Sequence, residues 1–156
     1  ELKTGALIEA AMMIGAQLAG ASDEQIAAVE KAAGDIGMAF QIQDDILDYT
    51  PTAHTGKPAN NDLREGKITL PLLSVLDRAS DSRRRELLER LSRCHESDEE
   101  VEYLRSTVEN EGGLSFAAEV MQGYIARAVE MLSDYPDSEY RSALVNLCAY
   151  IAERDR

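Results

Sequence analysis

Residues 22–50 read SDEQIAAVEKAAGDIGMAFQIQDDILDYT. Ser22 and Gln25 stand at S-x-x-Q spacing, the reciprocal capping box that opens a helix. Ile26, Val29, Ala33, Ile36 and Phe40 then recur at helical spacing, and the next step along that stripe is Asp44. Such a pattern predicts a helix that runs through a core and ends in a polar cavity. Gly37, Gln41, Asp44 and Asp48 follow one another by steps of four, three and four and so share a face. Asp45 lies about 100° round from Asp44, still within reach of the same cavity.

The pattern on either side is also helical. Leu7, Ala11, Ile14 and Leu18, with Ile8, Met12 and Gly15 beside them, predict a helix over Leu2–Leu18 that is apolar over most of its circumference. A helix of that kind belongs in the middle of a bundle. Residues 50–65 hold Pro51, Gly56, Pro58 and the Asn60-Asn61 pair and read as loop. Thr69 and Pro71 mark a new helix start, continued by Leu72, Leu73, Val75 and Leu76. A short helix over 82–93 opens with Arg83, Arg84 and Arg85, which read as a solvated helix start. Ser97 and Glu100 supply a second capping box, and Gly112-Gly113 ends the run through Val101, Leu104 and Val108. Leu114, Ala117, Met121, Ile125, Ala128 and Leu132 trace a long amphipathic helix broken by Pro136, and Tyr140, Leu144, Leu147 and Ile151 trace the last one. No alternating strand pattern, repeat or low-complexity tract interrupts them. The fold class is an all-α helical bundle.

The chain has 156 residues, of which 44% are hydrophobic, enough for one domain with a substantial core. It begins at Glu1, already within a helical pattern, and reads as part of a longer protein. Sixteen basic residues against 29 acidic ones give a formal charge of −13, which disfavours nonspecific binding to nucleic acid or to an anionic membrane surface. Anionic substrates are still admissible, because a metal ion inverts the local field. The apolar segment 5–21 is too short and too interrupted for a membrane span. Cys94 and Cys148, far apart in sequence, read as free thiols of a reducing compartment. The expectation is a soluble, cytoplasmic protein.

The carboxylates carry the chemistry. Asp44, Asp45 and Asp48 sit at the unfavourable end of the helix dipole and repel one another, which a divalent cation relieves. Magnesium prefers oxygen ligands and commonly bridges one or two carboxylates to substrate phosphates. His54 and His95 are isolated and the cysteines scattered, so nothing suits zinc. Lys57 and Lys67 follow in polar, glycine-containing sequence and can neutralise phosphate oxygens. Taken together, these residues describe a site for a metal-bridged diphosphate. Tyr49, one turn after Asp45, is expected at the cavity edge.

FQIQDDILDYT at 40–50, followed by TGKPANNDLREGKITLPLL at 55–73, resembles the second aspartate-rich region of the trans-isoprenyl diphosphate synthases, the polyprenyl synthetase family. Lys3-Thr4 resembles that family's Lys-Thr pair, with Gly5 where Ala is usual, and the likeness continues through GGLSFA at 112–117 to the terminal YIAERDR. It covers all 156 residues but only the C-terminal half of a typical member. The resemblance implies a bundle of the isoprenoid (terpenoid) synthase type, incomplete at the N-terminus, with residues 1–156 as the C-terminal part of a single prenyl synthase domain. It implies Mg2+ as cofactor, held by Asp44 with Asp45 and Asp48 in support. Lys3, Lys57 and Lys67 correspond to lysines that contact the allylic diphosphate, and Thr4, Phe40 and Gln41 to positions lining the cavity. The implied reaction condenses an allylic diphosphate with isopentenyl diphosphate, and the implied full-length protein is a homodimer.

The family's first aspartate-rich motif and its arginines lie upstream of the position of Lys3, and no second D-D-x-x-D stands in this chain. Half a site is expected, and the 156 residues alone are expected to be inactive and to self-associate through the apolar first helix. Two other readings share the motifs: a non-catalytic partner subunit of a synthase, and a class I terpene cyclase. The Lys-Thr pair and the lysine loop favour chain elongation.

Overall fold

The computed structural model describes residues 2–50 and 60–154, apart from the side chains of Leu2 and Lys3. Among these residues the chain forms eight helices and no strand: α1 Leu2–Leu18, α2 Asp23–Asp48, α3 Asn61–Arg64, α4 Leu70–Arg78, α5 Asp81–Leu91, α6 Asp98–Asn110, α7 Gly113–Ser133 and α8 Glu139–Glu153. No helix among them is long and apolar enough to cross a membrane. The expected helix caps form. At Ser22 the box is reciprocal: the Ser22 amide donates to Gln25 Oε1 at 2.9 Å and the Gln25 amide returns to Ser22 Oγ. At Ser97 the N-cap half stands, Ser97 Oγ accepting from the Glu100 amide, while the Glu100 carboxylate binds Arg90 and Arg93.

The helices gather into two compact units. In the first are α1, α2 as far as Gln43, α7 from Val120 onward, and α8. Its buried side chains include Ala33, Ile36, Ala39 and Ile42 of α2, Ile125, Ala128 and Leu132 of α7, and Cys148 and Ile151 of α8. Small residues let α1 and α2 come close: a Cβ built on Gly37 would stand 2.9 Å from the Gly5 Cα. Asp35 and Arg127 tie α2 to α7 through two hydrogen bonds of 2.9 and 3.1 Å. Leu7, Ile14 and Leu18 of α1 are exposed, the open apolar surface expected of these 156 residues taken alone. The last helix differs from its predicted stripe, with Tyr140 and Leu147 exposed and Cys148 buried in their place.

The second unit comprises Asp44–Glu119. Its core joins Tyr49, Leu63, Leu72, Val75, Leu87, Leu91, Cys94, Val101, Leu104 and Val108. Three sequence expectations change here. The loop over 50–65 contains α3, whose Leu63 is fully buried in that core. The fifth helix is capped by Ser80 rather than beginning at Ser82, and Ser80 Oγ accepts from the Arg83 amide. Arg83 is not merely solvated: its guanidinium binds Glu86, Glu111 and the Tyr103 hydroxyl, while Arg90 stacks 3.8 Å from the Tyr103 ring centroid. These partners lie on later turns and on another helix, beyond what a local charge run reveals.

The glycine contact gives a test. Gly37→Ala forces one backbone away from another and should destabilise the protein by about 1–3 kcal/mol. Gly15→Ala, where the new methyl meets nothing within 4 Å, should instead gain up to about 1 kcal/mol of helix propensity. Thermal unfolding midpoints of the two variants will move in opposite directions if the close approach of α1 and α2 is as described.

Candidate functional site

The last turns of α2 carry the acidic cluster. Asp44 is exposed, Asp45 half-buried and Asp48 buried, so the three carboxylates of one motif occupy three environments. Phe40 and Gln41, one turn earlier, are both half-buried, and the Arg154 guanidinium lies 4.1 Å from the Phe40 ring centroid. Thr4, on the first turn of α1, is half-buried. Lys57 and His54 lie outside the described residues, as does the side chain of Lys3.

The helix closes tightly. The amides of Tyr49 and Thr50 donate to the carbonyls of Ile46 and Leu47, each at 3.1 Å. Tyr49 is not at the cavity edge but fully buried in the core of the second unit, because its ring has the apolar area to fill that core. Its hydroxyl and that of Thr69 are both buried without a well-formed hydrogen bond among the described residues. Burial pushes the Tyr49 phenol far above its ordinary range; the Thr69 hydroxyl beside it works against this, and the charges of Asp48, Asp62 and Asp45 add to it. Burial therefore favours the neutral phenol at Tyr49.

Asp48, the buried one, is hydrogen-bonded to backbone amides further along the chain. Its carbonyl accepts from the Asn60 amide at 2.7 Å. Oδ1 accepts from the Asn61 amide at 3.2 Å and Oδ2 from the Asp62 amide at 2.9 Å. Those two amides open α3 and would otherwise lack acceptors, since the Asn60 side chain makes no cap bond. Asn60 has φ 61°, a left-handed conformation that Asn tolerates better than most residues. At the other end of α3, Gly66 has φ 68°. The Gly66 amide donates to the Leu63 carbonyl and the Lys67 amide to that of Asp62, a Schellman turn.

That turn brings Lys67 back over α3. Its ammonium lies 2.7 Å from Glu65 Oε2 and 2.9 Å from Asp62 Oδ1, and these carboxylates, Glu65 first, hold its pKa above the usual lysine range. Lys67 stays charged, and it remains open enough to water for an anion to reach. Sequence reading missed Asp62, Glu65 and Leu63. The available signals were Leu63, an apolar residue in a polar stretch, and Gly66 at the position of a helix C-cap.

Among the described residues, carboxylates outnumber cations around the end of α2, and their charge opposes an incoming anion. Among the described residues, no three carboxylate, histidine or cysteine groups come close enough to form a metal cage. The carboxylates at the end of α2 are oxygen donors, the ligand type that a hard divalent cation takes.

Residues 1–108 match the family model for polyprenyl synthetase. The chain belongs to the polyprenyl synthetase family. It is 41% identical over 160 residues to a geranylfarnesyl diphosphate synthase of Aeropyrum pernix, covering 98% of this chain and 48% of the relative. The fold matches the crystal structure of a geranylgeranyl pyrophosphate synthase from Bacteroides thetaiotaomicron with a TM-score of 0.86 and 30% identity, over 97% of this chain and 50% of that one. A polyprenyl synthase from Caulobacter crescentus, solved with calcium and isoprenyl diphosphate, matches with a TM-score of 0.84 and 34% identity, over 97% and 47% of the two chains. The chain thus has the all-α isoprenoid synthase fold and spans about half the length of these relatives.

The environment of Tyr49 makes a prediction that separates packing from polarity. Tyr49→Phe removes a hydroxyl with no well-formed bond and should change stability by less than about 1 kcal/mol. Tyr49→Ala should cost about 3–5 kcal/mol. Denaturant unfolding followed by circular dichroism measures both.

Proposed function

We propose that the protein containing this chain is a magnesium-dependent trans-prenyl diphosphate synthase. It condenses an allylic diphosphate with isopentenyl diphosphate, and residues 1–156 contribute the C-terminal part of its single synthase domain. The observation that carries this reading is the end of α2. There an exposed and a half-buried carboxylate stand on the same helix as a third, Asp48, that secures α3, the helix turn bearing Lys67's partners. Relatives named as prenyl diphosphate synthases support the reaction class, and the Caulobacter relative's pairing of a divalent cation with an isoprenyl diphosphate supports the cofactor.

Asp44, exposed at the helix end, would hold the magnesium, with Asp45 supporting it directly or through water. Bound there, the ion would neutralise charge on the departing diphosphate. The lysines divide the remaining anionic load: Lys67 from its place over α3, with Lys3 and Lys57 as partners. The C–O bond of the allylic diphosphate breaks, diphosphate leaves, and the double bond of isopentenyl diphosphate forms the new C–C bond before a proton is lost. Thr4 and Phe40 would line the cavity. Gln41 would orient groups near the allylic cation without presenting a nucleophile strong enough to trap it. The proposal includes a homodimeric, cytoplasmic enzyme.

The test is condensation by the full-length gene product, using labelled isopentenyl diphosphate and allylic diphosphates of graded length. Magnesium-dependent label in a longer diphosphate is expected, and its absence with every allylic partner rejects the reading. Asp44→Ala should lower the rate by roughly a hundredfold or more, the scale of losing one strong electrostatic stabiliser. Lys67→Gln should weaken substrate use while shifting stability by less than about 1 kcal/mol, since its ion pairs are solvent-exposed.

A further inference from the structure

We propose that Asp48 is a positioning residue for the lysine-bearing segment rather than a ligand of the metal: it seats α3, and through α3 it sets the place of Lys67. The inference rests on the prenyl-transfer reading for its kinetic consequences but not for its structural ones.

The argument begins with the length of α3. Four residues make a single helical turn, far below what an isolated helix needs to persist in water. This turn persists because it is held at three points. Asp48 takes the amides of three successive residues, Asn60, Asn61 and Asp62, one through its carbonyl and two through its carboxylate. Leu63 is buried in the core. The Schellman turn at Gly66 closes the other end. Of these three, only Asp48 fixes the amide end of α3 against α2.

Lys67 inherits its position from that anchor. Its ammonium is bound by Asp62, whose own amide Asp48 holds, and by Glu65 on the same turn. Releasing Asp48 would free the first turn of α3 and with it the carboxylate that aims the ammonium. The buried carboxylate also has a cost to meet: shielded from water, it needs donors, and the two amides supply charge-assisted bonds. With one amide already on each oxygen, the carboxylate has less acceptor capacity left for a cation. The three aspartates of the motif therefore divide their work, with Asp44 and Asp45 toward the cation and Asp48 toward the backbone of the phosphate-binding segment.

The test uses the full-length gene product and four variants: Asp48→Asn, which keeps one carboxamide oxygen as acceptor, Asp48→Ala, which keeps none, Lys67→Gln, and Asp48→Asn combined with Lys67→Gln. Amide hydrogen exchange at Asn61 and Asp62 should accelerate by about tenfold in Asp48→Asn and further in Asp48→Ala, the scale of losing one and then two bonds to a charged acceptor. KM for the allylic diphosphate should rise about tenfold in Asp48→Asn with kcat within about threefold, the signature of lost binding rather than lost chemistry. At saturating substrate, the magnesium concentration for half-maximal rate should stay within about twofold of the parent, and adding Asp48→Asn to Lys67→Gln should cost less than about threefold more, because coupled residues are not additive. Unchanged exchange at Asn61 and Asp62 would overturn the proposal. So would a magnesium requirement raised by about tenfold or more, or effects at Asp48 and Lys67 that simply multiply. If Asp48→Ala fails to fold, Asp48→Asn decides. If the parent makes no prenyl product, the functional reading falls, while the exchange measurement still decides whether Asp48 seats α3.

Discussion

A carboxylate withdrawn from water must find donors, and Asp48 finds them thirteen and fourteen residues along the chain, in the amides of Asn61 and Asp62. The rest of the acidic end of α2 depends on this pairing. It ties the end of α2 to the start of α3, and it gives the four-residue turn Asn61–Arg64 a fixed entry. Leu63 can then enter the core of the second unit, and Lys67 can be folded back over Asp62 and Glu65. A single side chain thus joins secondary structure, packing and the placement of a cation.

The electrostatics follow from the same arrangement. The C-terminal end of α2 carries partial negative charge from its own carbonyls, and three aspartates add to it. Nothing about helix stability favours that accumulation. The cation proposed above would offset it. Lys67, held charged by Glu65 and Asp62, is a positive group open in part to solvent. Tyr49, close in sequence and buried beneath, contributes area and no charge.

Elsewhere the fold relies on close backbone approach and on arginine. Gly37 against Gly5 in the first unit, and Gly113 against the Pro71 carbonyl in the second, are positions where a methyl group would collide with backbone. Each therefore fixes how near two helices can lie, which sets the geometry that larger side chains must fit. Arg83 and Arg90 bracket Tyr103 and bind carboxylates on either side of it, joining α5 to α6 by charge and ring contact together. Surface pairs of this kind contribute modestly one by one, and more as a network around a shared aromatic ring.

The sequence by itself determined the all-α class, the helix N-caps at Ser22 and Ser97, the helix start at Thr69-Pro71 and the acidic end of α2, because each depends on residues within a few positions of one another. It also placed Asp44, Asp45 and Asp48 on one helix end, since 3.6 residues per turn leave little freedom there. Only the tertiary structure decided which of the three is exposed and which is spent on backbone amides. The same holds for α3, read as loop because its stability comes from Asp48 and Leu63 and not from its own four residues. Tyr49 went to the core, and Arg83 to Tyr103 and Glu111, through contacts separated by tens of residues or by the path of the chain. Periodicity reports a residue's own helix. It carries no information about which distant amide a buried carboxylate will reach, and at the end of α2 that choice made the site.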